Sequence, residues 1–272
     1  MASLPDPAKA KSLADARRQA HHAAQLATAA GISFLPKQAD DSHTNLEWLS
    51  ELGALASRTI PSSAPFRIAV RLATLELYVV DDTNAVVASM PLHGRTIADG
   101  EAWLRGNVAK RGASPEQFTL AKHYQIPHHA VDGGQAFDTS DAQAFRELSA
   151  WFDLAARLLE RVRVAYDGSE VRCWPHHFDI ATLTTVSPGR TSGAGLEPGD
   201  TYYDEPYFYV NAYPLPPNAA ATARLGGEGS WHTREWFGAV LPGSRVRPGK
   251  VESQVAEFLE SAVAACRQLI ST

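Results

Sequence analysis

The stretch FRIAVRLATLELYVVDD, Phe66 to Asp82, decides the fold class. Ile68, Val70 and Leu72 fall on one side of an extended chain, and Leu75, Leu77 and Val79 form a second alternating set. Successive side chains of a strand point to opposite faces, so this period of two predicts two strands. Asp81, Asp82 and Asn84 supply a turn, and VVASMPL continues as a third strand, which makes an antiparallel meander.

Outward from the meander the period becomes helical. Residues 96–110, with Ile97, Trp103, Leu104 and Val108 apolar, predict a helix laid against the strands. Upstream, the Ala-rich segment from Ala8 predicts a helix that stops at Gly31. DDSHTNLEWLSELGALA predicts another, with Thr44 and Glu47 as its capping box and Leu46, Leu49 and Leu52 on one side. Downstream, residues 111–138 show no period and are expected as loop. A capping box at Ser140 and Gln143 opens the longest helix, whose stripe runs through Phe145, Leu148, Phe152, Ala155, Leu159 and Val162.

Strands return in VRCWPHHFDIATLTTV, PYFYVNAYP and REWFGAVLP, with the Gly/Pro-rich connection SPGRTSGAGLEPGDTYYDEP between the first two. A connection of that length commonly covers a site. A helix over Val251–Ile270 closes the chain. The expectation is an α+β protein: two groups of antiparallel strands, forming one extended sheet or pseudo-duplicated halves, with helices packed on them. One compact domain, 1–272, is expected, with pseudo-halves 1–138 and 139–272.

Composition removes several classes. The 272 residues are 44% hydrophobic and 20% charged, which suits a packed core. A net charge of -5 and no Lys/Arg run longer than a pair argue against nucleic acid. No stretch approaches the roughly 20 apolar residues that span a bilayer. A soluble cytoplasmic protein with a small-molecule partner and no membrane contact is expected. Cys173 and Cys266 lack ligand spacing and are expected as buried hydrophobes.

WPHHFD, Trp174 to Asp179, is the densest chemistry. With Pro175 starting a strand, His177 and Asp179 would share one face and His176 would join Phe178 and Ile180 on the other. A carboxylate and an imidazole on an apolar face must pair or bind something. The functional reading joins His177 and Asp179 to Glu205 and His232 as ligands of a divalent metal (Zn, Fe or Mn), or makes Asp179 and Glu205 an acid/base pair. The structural alternative pairs Asp179 with His177 or Arg172 in a satisfied strand. His43 stands at an expected helix start, where capping by Ser42 and Thr44 is the competing account. One of His21 and His22 should face the core. Tyr207, Tyr209 and Tyr213 share a strand face with Asn211, either as core or, with Trp174, as the wall of an aromatic ligand pocket. There is no GxxxxGK[ST], GxGxxG, GxSxG or HExxH, so nucleotide cofactors and hydrolase triads are not expected.

FDIA, then GLEPGDTYYDEPYFYVNAYP, then GAVLP resembles an uncharacterised bacterial family, a domain of unknown function. The likeness runs along most of the chain, through HHAAQ near residue 21 and FRIAVRLATLELYVVDD. It implies family counterparts for Phe178 and Asp179 and for Glu205 to Tyr209. Many members lack histidines matching His176, His177 and His232, which favours Asp179 and Glu205 as shared site residues. The resemblance implies architecture and no reaction. The first functional expectation is therefore a small-molecule enzyme with a His/Asp/Glu site. The alternatives are a non-catalytic module holding an apolar or aromatic ligand, or a structural or assembly protein.

Overall fold

A computed structural model describes residues 4–215 and 223–271. The protein is α+β, with one five-stranded and one six-stranded sheet and four α-helices among the described residues. It divides into two compact units. Unit 2 comprises Asp15–Ser149 and Cys173–Phe178, and unit 1 comprises Met1–Ala14, Ala150–Arg172 and Asp179–Thr272.

In unit 2, helix α1 (Ala14–Phe34) precedes a meander of β1 (Glu47–Leu49), β2 (Ala54–Ala56), β3 (Phe66–Arg71), β4 (Glu76–Asp81) and β5 (Val86–Pro91), in that order across the sheet. Every neighbouring pair is antiparallel. The three strands expected from residues 66–92 are present. Helix α2 (Ile97–Lys110) follows, its Thr96 hydroxyl and Asp99 carboxylate forming a reciprocal capping box. Between 111 and 138 only two short 3-10 turns, Pro115–Gln117 and Ala130–Gly133, interrupt the loop.

Two helical expectations in unit 2 are corrected. Residues 47–56 form the β1–β2 hairpin rather than a helix. Thr44 Oγ1 donates to the Asp41 carbonyl, and Glu47 pairs with Arg67 at 2.7 Å, so neither makes a capping box. Gly53, at φ +59°, lets the chain reverse, and Leu49, Ala54 and Ala56 pack with Ala69, Tyr78 and Val80. Burial against the meander overrides the helical spacing of the leucines. The second correction is at Gly31, which does not stop α1. A Cβ there would lie 2.2 Å from the His43 carbonyl oxygen, so the glycine permits close passage of two backbones.

Helix α3 (Ala142–Tyr166) crosses from unit 2 into unit 1. Its first turn is capped by Asp141, which accepts the Ala144 N–H at 3.1 Å, while the Ser140 hydroxyl turns to Asp138. The cap is thus one residue later than expected.

The second sheet runs in the order β10-β11-β9-β8-β7-β6, from β6 (Arg172–Trp174), β7 (Asp179–Ser187), β8 (Arg190–Glu197), β9 (Tyr207–Tyr213), β10 (Ser230–His232) and β11 (Gly238–Pro242). The Gly/Pro-rich stretch expected as a connection contains β8, which pairs with β7 and β9. Its glycines have a packing reason: a Cβ at Gly195 would lie 2.6 Å from the Tyr209 phenol, and one at Gly193 would lie 2.7 Å from Asn211 Oδ1. Helix α4 (Val251–Leu269) covers the face of Thr182, Thr184, Ala194 and Val210. There Cys266 Sγ donates to the Val210 carbonyl and Arg267 donates to Thr184 Oγ1. No helix among the described residues is long and apolar enough to cross a membrane.

Candidate functional site

The face of the six-stranded sheet turned away from α4 carries the chemistry. Register aligns Ala181, Gly195 and Tyr209 across three strands, and Glu197 with Tyr207. Alternation then adds Asp179 at the start of β7 and Asn211 in β9. Gly238 pairs with both Asn211 and His232, which brings His232 onto the same face. The expected stripe of Tyr207, Tyr209, Asn211 and Tyr213 is present, buried at Tyr207 and 70% exposed at Tyr213.

The tyrosines form a ladder. Tyr209 donates to Asp179 Oδ2 at 2.5 Å and Tyr207 donates to Asp200 Oδ2 at 2.7 Å. Ring centroids of Tyr207 lie 6.4 Å from Tyr209 and 4.7 Å from Tyr203. Burial raises all three hydroxyl pKa values. Negative charge at Asp200 and Glu197 adds to this at Tyr207, and Asp179 and Glu197 add to it at Tyr209. The hydroxyls therefore keep their protons and act as donors. Asp179 and Glu197 are both buried.

At the open end of the ladder the loop before β9 meets the connection from β10 to β11. Asp200 Oδ1 accepts the N–H groups of Tyr202 and Tyr203, which fixes that loop. Tyr203 shares a hydrogen bond with His232 Nδ1 at 2.9 Å, and His232 Nε2 donates to the Arg234 carbonyl at 2.5 Å. A carbonyl can only accept, so Nε2 carries a proton, and in that tautomer the Tyr203 hydroxyl donates to Nδ1. The His232 ring stacks on Trp236 at 4.4 Å and 19°. The Trp236 backbone N–H bonds back to the Arg234 carbonyl at 2.6 Å, around Glu235 at φ +63°. A positive-φ turn of this size is rare and strained for a non-glycine residue. Next to it is a cavity of about 720 Å³, lined in part by Tyr202, Tyr203, Trp231 and His232.

The other expected site residues have separate roles. Glu205 is buried and accepts from Ser244 N at 2.6 Å and Ser244 Oγ at 2.9 Å, with Lys11 4.0 Å away. It anchors the 3-10 turn Gly243–Arg245. Trp174, His177 and His43 belong to unit 2. His43 is buried and its Nδ1 accepts the Gln38 N–H at 3.3 Å. Burial lowers its pKa. His177 is exposed, 4.4 Å from the ring of His176, which itself lies between Trp174 and Tyr124. Among the described residues no three His, Cys, Asp or Glu side chains are placed to hold a metal ion.

WPHHFD is a turn rather than a strand. Trp174 ends β6, its carbonyl accepts the N–H groups of His177 and Phe178, and Asp179 opens β7. Proline at the second position suits such a turn. His177 and Asp179 therefore do not share a face through strand alternation. Within unit 2, His21 and Gln25 both donate to the Pro175 carbonyl, at 2.8 and 2.9 Å. The His21 ring stacks on Phe178 at 4.9 Å, holding that residue at φ +72°. His22 is buried too, and donates to the Pro127 carbonyl at 3.0 Å.

Sequence reasoning passed over Glu197, Asp200, Tyr203, Arg234 and Trp236. For Glu197 a signal was present: the alternation of Gly193, Gly195 and Glu197 against Asn211, Tyr209 and Tyr207 is that of paired strands. No protein family, curated protein or solved structure matches the chain.

Proposed function

We propose that the chain binds a small molecule in the cavity beside Tyr202, Tyr203 and His232, on unit 1. The observation that carries this reading is the Tyr203–His232–Arg234 chain of hydrogen bonds, braced by Trp236 beside an open cavity. It fixes ring and tautomer before any ligand arrives, and preorganised groups lose less entropy on binding. The strained turn at Glu235 fits the same reading, since such backbone concentrates at ligand sites.

An acid/base enzyme is the second reading. It is favoured by a phenol and an imidazole in hydrogen-bond contact beside the cavity, Tyr203 and His232, residue types that serve general acid/base chemistry. Asp179 and Tyr209 would then hold the far end of the tyrosine ladder. The metal-centred version draws no support from the donor geometry. A cytoplasmic setting accords with Cys173 and Cys266, both buried and outside any disulfide.

The test is a thermal-shift screen of small polar and aromatic compounds on the full chain, repeated with Tyr203→Phe. Stabilisation by a compound that loses its effect in the variant supports the site. A screen in which no compound shifts the melting of the unaltered chain removes both readings.

A further inference from the structure

The lining of this cavity points to its ligand class; the inference rests on the binding reading above. We infer that the cavity takes a neutral, polyhydroxylated ring, the chemistry of a saccharide unit. Its aromatic side is supplied by Tyr202, Tyr203 and His232. Tyr202 is 45% exposed and is held edge-to-face against His232 at 5.6 Å and Trp236 at 6.2 Å, so its orientation is set while its surface stays open. The polar side is supplied by Arg234, Glu235, Thr201 and Thr233.

Each alternative ligand class leaves part of this lining unsatisfied. A guanidinium only donates, a carboxylate only accepts and a threonine hydroxyl does both. An apolar aromatic ligand would desolvate these groups without pairing them, which opposes its binding. A cation such as a quaternary ammonium would gain from the rings but be opposed by Arg234 and by Arg245, whose charge also bears on Tyr203. An anion would gain from those arginines and be opposed by Glu235 and Asp200. A sugar ring presents C–H groups on its face and, around its rim, hydroxyls that both donate and accept. It therefore matches an aromatic floor and a mixed donor and acceptor rim. The volume of about 720 Å³ accommodates one or two such rings.

The experiment is ligand-observed saturation-transfer NMR on the full chain with methyl glucoside, methyl galactoside and methyl mannoside, and with choline and benzoate as probes of the charged classes. Expected is transfer to at least one glycoside, weakened at least about tenfold by Tyr202→Ala and retained by Tyr202→Phe, which keeps the ring. Glycoside binding that is indifferent to Tyr202→Ala overturns the assignment to this cavity. Choline or benzoate binding that depends on Tyr202, with no glycoside binding, overturns the saccharide class and leaves the cavity as a binding site. No transfer to any of the five probes overturns the class and counts against the binding reading as well.

Discussion

Tyr209 reaches Asp179 across a glycine: its hydroxyl donates to Asp179 Oδ2 at 2.5 Å over Gly195, where a Cβ would lie 2.6 Å from the phenol. The carboxylate is buried, so this donor replaces solvation that water no longer provides. Tyr209→Phe should lower unfolding stability by about 1–3 kcal/mol. Gly195→Ala should lower it by a similar roughly 1–3 kcal/mol, because the new methyl displaces the same ring. Urea unfolding measures both. Their combination should cost less than the sum, since each change disturbs one contact. Strict additivity would show that Tyr209 and Gly195 are not coupled in this way.

Glu205 accepts two hydrogen bonds from Ser244. In that use it anchors the turn after β11. Glu205→Ala should cost about 1–3 kcal/mol of stability while leaving the affinity of any cavity ligand unchanged. Urea titration and ligand titration on the same variant separate the two effects. A loss of affinity with unchanged stability would return Glu205 to the site.

What was legible in the sequence follows element length. Strands β3, β4 and β5 and helices α3 and α4 repeat their period often enough to be recognised, and each lies where the pattern places it. Strands β1 and β2 have three residues each, too few to display a period of two, and their leucines imitate a helix by accident of the hairpin. Strand β8 was hidden by its glycines, which strands usually avoid; here each makes room for a side chain from β9. The candidate site was half legible for the same reason. Tyr207, Tyr209 and His232 stand on strands and were singled out, while Glu197, Asp200 and Tyr203 lay in what looked like a connection. The partner of Asp179 lies two strands away across β8, a relationship that appears only once the register is known.

Gly31 tests the correction at the end of α1. Alanine is the better helix former by about 1 kcal/mol, so propensity alone predicts that Gly31→Ala stabilises the protein. A Cβ there would meet the His43 carbonyl oxygen at 2.2 Å, and this obstacle is backbone that cannot rotate away. The clash should win, giving net destabilisation of about 1–3 kcal/mol in thermal or urea unfolding. Neutral or raised stability would show that the two segments part easily.

His21 supplies a pH dependence whose sign can be worked out. Burial is the main cause that lowers its pKa from 6.5 to about 3, and the positive charges of His22, His177 and Arg17 push the same way. The bond to the Pro175 carbonyl acts in the opposite direction and is outweighed. In the unfolded chain the imidazole returns to its ordinary value near 6.5. Below that pH the unfolded state takes up a proton that the folded state refuses, so the stability present above pH 6.5 is lost as pH falls towards 3. The slope from this one group reaches about 1.4 kcal/mol per pH unit. His21→Gln removes the titration, so its stability should fall less steeply between about pH 4 and pH 7 than that of the unaltered chain. His22 is also lowered by burial, but it is present in both proteins, and the difference in slope isolates His21. Parallel stability curves in urea titrations across this range would mean that His21 titrates alike in both states, and that the imidazole beneath Phe178 is not held neutral.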